Sequence, residues 1–181
     1  MTPLLKQLLI LFIILLVLFL AAMGVMMYHR ILKKVHVKQG PFRKLNFVYN
    51  FHQGDYQKNM LILEEVMEKI KNKGLPVVSP VTIYYDNPRK TKRKELRSEI
   101  GFIVPDSVTQ PIEGLEFKQI DNQEYIYTAF PYVSRFSIMI GAMKVYPAFT
   151  KYLKKHNLEE REIIEIYEMQ NKNIIYLMPV K

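Results

Sequence analysis

The sequence predicts an α+β fold: an N-terminal transmembrane helix followed by one domain built from a duplicated βαββ unit. Three observations carry that prediction. Leu8 to Met27 is a run of twenty residues without a charged or strongly polar side chain. Downstream, strand-like segments are interrupted by two segments of helical period. The order strand, helix, strand, strand then occurs twice, and the paired strand endings look alike.

The anchor comes first. At about 1.5 Å per residue the run spans roughly 30 Å, the thickness of a bilayer's hydrocarbon core. It is longer than the apolar region of a secretory signal, and no clean small-residue cleavage site follows Ala21-Ala22. Lys6 stands before it; Arg30, Lys33, Lys34, Lys38, Arg43 and Lys44 follow. By the positive-inside rule the rest of the chain faces the cytoplasm, of the endoplasmic reticulum or of a bacterial plasma membrane. Arg30, Lys33 and Lys34 are then the membrane-proximal cations, placed to meet anionic lipid. Residues 1–28 therefore read as anchor, 29–44 as a basic juxtamembrane linker ending at Gly40-Pro41, and 45–181 as the domain.

Within the domain, Leu45 to Phe51 is strand-like and aromatic. Tyr56 to Lys73 carries a helical stripe and stops at Gly74. Pro76 to Tyr85 and Arg97 to Val104 read as strands, joined through the turn Asp86-Asn87-Pro88. Asp106 to Gly114 is loop. Glu124 to Phe130 is a strand, Ser137 to His156 a helix containing Pro147, and Ile163–Tyr167 and Ile174–Met178 close the set. Met60, Leu63 and Met67, with Ile138, Met139 and Met143, are assigned to the helix cores.

Side chains alternate along a strand, so Glu165 and Tyr167 share a face. Aligning Val81-Thr-Ile-Tyr-Tyr85 with Ile163-Ile-Glu-Ile-Tyr167 puts Ile83 and Tyr85 at matching positions. With both helices on one side of the sheet, these residues and Tyr49 are expected on the uncovered side. An acid among aromatics there makes a binding hollow for a small apolar or cationic guest.

The chain has no cysteine, which removes disulfides, thiolate nucleophiles and cysteine-based zinc sites. Its four histidines are scattered without metal spacing, and no phosphate loop or serine–histidine pair is present, so no metal, cofactor or catalytic residue is assigned. The net charge is +9, and Arg89 to Arg97 is a dense basic stretch. That stretch reads as a solvated hairpin tip; without a DNA-binding motif, and on a membrane-anchored chain, nucleic acid is not an expected partner.

The segments Tyr84-Tyr85-Asp86-Asn87-Pro88, Arg97-Ser-Glu-Ile-Gly101, Ile164-Glu165-Ile166-Tyr167 and Tyr176-Leu-Met-Pro179 together resemble the GyrI-like family. The resemblance implies a tandem SHS2 fold that binds small molecules, as in the effector-binding domains of multidrug-responsive regulators. It also implies that Glu165 is the ligand-facing acid and Tyr167 its aromatic companion. Ala129-Phe-Pro-Tyr132 and Lys144-Val-Tyr-Pro147-Ala narrow it to membrane-anchored members that serve as receptors for autophagy of the endoplasmic reticulum. Those receptors carry a tail beyond this domain that bears their partner-binding motif, and the 181 residues hold no counterpart. The expected function is thus a single-pass, non-catalytic binding module for a small ligand or a protein partner. An adaptor with a vestigial groove, or a hydrolase using Glu165 and a tyrosine, is the alternative.

Overall fold

The computed structural model describes residues 2–28 and 34–180. Arg30 and Lys33, two of the three membrane-proximal cations, lie outside these; Lys34 is exposed. The chain is α+β, with an apolar N-terminal helix and one eight-stranded antiparallel sheet.

Helix α1 (Pro3–Tyr28) is apolar all round and buries none of its residues. Among the described residues it is the one helix long and apolar enough to cross a membrane, with a mean hydropathy of 3.3. From Leu8 to Met27 it has no polar face to present to water, as a bilayer-spanning segment requires.

Eight strands follow: β1 (Lys38–Pro41), β2 (Leu45–Gln53), β3 (Ser79–Tyr84), β4 (Arg97–Val104), β5 (Glu116–Ile120), β6 (Glu124–Pro131), β7 (Ile163–Glu168) and β8 (Asn173–Pro179). Two helices interrupt them, α2 (Asn59–Asn72) after a short 3-10 turn at Tyr56–Lys58, and α3 (Phe136–His156). The strand order is β1-β6-β8-β7-β3-β4-β2-β5. Outward from the central β7–β3 pair, either side meets the last strand, then the first strand, of a strand–helix–strand–strand segment. Gly74 (φ +67) lets α2 end in a tight turn, with Leu75 N–H returning to Ile70 O.

The register places both helices on one face. A single cross-strand row runs Asn50, Ile100, Thr82, Glu165, Tyr176, Thr128. On this face Val66 and Ile70 of α2 pack on Val48, Phe102 and Val104, while Val145, Phe149 and Leu153 of α3 pack over Ile126, Ile174 and Met178. The other face carries no helix. It buries Phe47, Val81, Ile83, Ile164, Ile166 and Leu177, with Phe42, Tyr85 and Tyr127 packed against them.

Several expectations change here. Residues 38–41, within the stretch read as linker, form β1 against β6, and β5 against β2 was not anticipated. The apolar stripe of α3 that is buried runs through Val145, Phe149 and Leu153, so Met139 and Met143 are exposed rather than core, as is Met60 on α2.

Candidate functional site

Because α2 rests on β2 and β4, and α3 on β6 and β8, the central β3–β7 strip is left uncovered between them. A cavity of about 720 Å³ opens over that strip. Glu165 and Tyr84 contribute to its floor, Ile138, Met139 and Tyr146 of α3 to one wall, and Tyr56 with the β3–β4 loop to the other. Its size suits a drug-sized guest.

Glu165 is only 2 % exposed, yet it lines the cavity. Tyr146 Oη donates to its Oε1 at 2.7 Å and Tyr167 Oη to its Oε2 at 2.6 Å. Among the described residues no lysine or arginine forms an ion pair with it. Burial therefore pushes the Glu165 carboxyl above the usual carboxylate range, and the two tyrosine hydrogen bonds pull it part of the way back. The same burial, reinforced by the Glu165 charge, raises the hydroxyls of Tyr84, Tyr146, Tyr167 and Tyr176, so all four keep their protons. Among the described residues, the buried Tyr176 Oη has no hydrogen-bond partner.

The mouth is braced by polar contacts. Arg97 donates from both Nε and a terminal nitrogen to the Asp86 carboxylate at 2.9 Å, and its backbone N–H donates to the same group. That clamp holds the Asp86 carboxyl below its ordinary range. Tyr56 Oη reaches the carbonyls of Asp86 and Arg97 at 2.9 and 3.0 Å, and burial pushes its hydroxyl up to about 12. Lys90 pairs with Glu160 at 2.9 Å across the opening. Five carboxylates line the cavity (Asp86, Glu159, Glu160, Glu162, Glu165) against two cations (Lys90, Arg161), a balance that favours positive guests.

Of the residues expected to converge, the structure joins Glu165 and Tyr167 but separates the rest. The glutamate's face is the one the helices occupy, not the uncovered one, and the hollow lies between α3 on one side and Tyr56 with the β3–β4 loop on the other. Thr82, not Ile83, pairs with Glu165. The alignment of strand endings is off by one residue in space, and with a side-chain period of two that moves Ile83 to the opposite face, where it packs with Ile164. Tyr85 borders the cavity, but its hydroxyl donates to Glu99 at 2.7 Å and accepts from Lys118, both on that opposite face. Tyr49 lies there too, donating to Glu116 at 3.1 Å. The residues that sequence reasoning passed over are Tyr56, Tyr84 and Tyr146. Tyr146, a polar aromatic beside the apolar stripe of α3, was the one visible signal.

Comparison with known proteins adds the following. The profile of the GyrI-like small molecule binding domain matches residues 41–177. Human Testis-expressed protein 264 is 26% identical over 165 residues, 84% of this chain and 50% of that protein, and its mouse homolog is also 26% identical. The chain thus spans about half the length of the curated relatives it matches. The crystal structure of the EcmrR C-terminal domain is similar at a TM-score of 0.62 and 11% identity, covering 81% of this chain and 98% of that one. A hydrolase from Listeria innocua is similar at 0.52 and 15%, covering 82% and 93%. SAV2435 bound to tetraphenylphosphonium is similar at 0.50 and 10%, covering 81% and 94%. At such identities these structures share the fold.

Proposed function

The chain belongs to the GyrI-like small molecule binding domain family, and we propose that it is a single-pass, membrane-anchored module whose groove beside α3 binds a small apolar cation without chemistry. The observation that carries this reading is a buried carboxylate, Glu165, lining the groove with hydroxyl partners but no counter-cation. A desolvated anion of this kind gains most from a guest that brings both apolar surface and delocalised positive charge. Tyr56, Tyr84 and Tyr146 add ring faces for cation–π attraction. That SAV2435 carries tetraphenylphosphonium on the same fold agrees with the ligand class.

A non-catalytic role is supported by the tyrosine donors on both Glu165 oxygens, which stabilise the carboxylate and so make it a weaker base. We also read the domain as two βαββ units, β2-α2-β3-β4 and β6-α3-β7-β8, because the strand order mirrors about the β7–β3 pair. The basic residues after α1 support a cytoplasmic domain.

The test is isothermal titration of the full chain in lipid nanodiscs with tetraphenylphosphonium, against neutral triphenylphosphine oxide. The cation should bind with the higher affinity, and Glu165→Gln should weaken it about ten- to hundredfold while leaving the neutral compound unchanged. Absence of binding by the wild type would favour an adaptor with a vestigial groove. Equal affinity of wild type and variant would remove Glu165 from the site.

A further inference from the structure

The basic stretch at Arg89–Arg97 is sorted by the fold into paired and unpaired charges. Lys90 meets Glu160, Arg93 meets Asp55, and Arg97 meets Asp86. Arg89 instead faces α3 and lines a second cavity of about 640 Å³ with Lys151 and Lys154, one helical turn apart. Among the described residues none of these three cations is in an ion pair, and no carboxylate lines this cavity. The rest of its lining is largely apolar, with Met143, Pro147 and Ala142 on the exposed side of α3.

All three cations are exposed and hydrated, and with no carboxylate in the lining they give the groove a positive potential that an anion would meet. The fork of Arg89 suits two phosphate oxygens, and the two lysines can meet the remaining charge. We propose that this second groove binds a phosphate monoester, with Met143 and Pro147 placed to accept an attached apolar chain, as the headgroup of an acidic lipid would offer. The site adjoins the cation groove: Asn87, Pro88, Ala142, Thr150 and Tyr146, whose hydroxyl holds Glu165, line both cavities, while its three cations line only the second. Among the described residues the chain carries a candidate membrane helix, which makes lipid a ready source of such a phosphate.

Methionine-methyl NMR of the full chain in phosphatidylcholine nanodiscs tests this directly, since Met143 lines the second groove and Met139 the first. Dihexanoyl phosphatidic acid should shift Met143 saturably, dihexanoyl phosphatidylcholine should not, and Arg89→Gln/Lys151→Gln/Lys154→Gln should weaken the response about tenfold or more. The buried Met178 methyl, unshifted in the variant, reports that it is folded. Inorganic phosphate acting at Met143 as strongly as phosphatidic acid supports the phosphate site with a free, non-lipid source. No Met143 response to either phosphate, or an equal response in the triple variant, overturns the proposal.

Discussion

At the residue scale the behaviour of the groove is a matter of where one proton sits. Burial raises the Glu165 carboxyl above its ordinary value near 4.5, so the folded protein holds this proton more tightly than the unfolded chain does. Stability contributed by that proton is present at low pH and is lost as pH rises from about 4.5 through the raised value. Chemical denaturation across pH should therefore show wild type losing stability relative to Glu165→Gln over this window and running parallel to it above. A cation needs the ionised form, so tetraphenylphosphonium affinity should climb over the same window in the wild type and stay flat in the variant. Tyr146→Phe or Tyr167→Phe removes one donor to the carboxylate and should move the midpoint of that climb to higher pH. Glu165 was legible in the sequence as an acid among strand aromatics. Its two tyrosine donors were not legible together, because Tyr146 sits nineteen residues away on a helix and meets it only across the groove.

At the element scale, strands with their own pattern were readable and strands made by pairing were not. β4 occupies Arg97–Val104, as read from its apolar end Ile100–Val104 before Pro105, and β7 and β8 lie where expected within a residue. β1 is Lys-Gln-Gly-Pro and β5 is five residues; both are edge strands whose identity comes from a neighbour's free hydrogen-bonding groups. Gly101 shows what the central strands demand. A Cβ there would collide with the Val48 carbonyl and the Tyr49 backbone on β2, which a rigid ladder cannot yield. Gly101→Ala should cost about 1–3 kcal/mol, read as a lower denaturant midpoint with an unchanged slope. Gly141 on α3 plays the same part against the Tyr176 hydroxyl, letting helix and sheet approach closely beside the groove.

At the scale of the whole molecule, the N-terminal helix and the domain treat their apolar side chains differently. α1 leaves every apolar side chain uncovered, so the full chain should stay with the membrane pellet through alkaline carbonate washing. Leu15→Arg with Leu16→Arg, each costing about 2.5–3.5 kcal/mol at mid-bilayer, should release it. The apolar run, the order of the elements other than β1 and β5, and the candidate acid were present in the one-dimensional pattern, because hydrophobic periodicity and length are local properties. Which face of the sheet Glu165 occupies, and that Ile83, Tyr85 and Tyr49 look away from it, depended on the β3–β7 register. The two grooves along α3 depended likewise on where the chain after β3 settles against that helix. No run of residues encodes those quantities by itself; they are set by pairing and packing between segments about eighty residues apart in the chain.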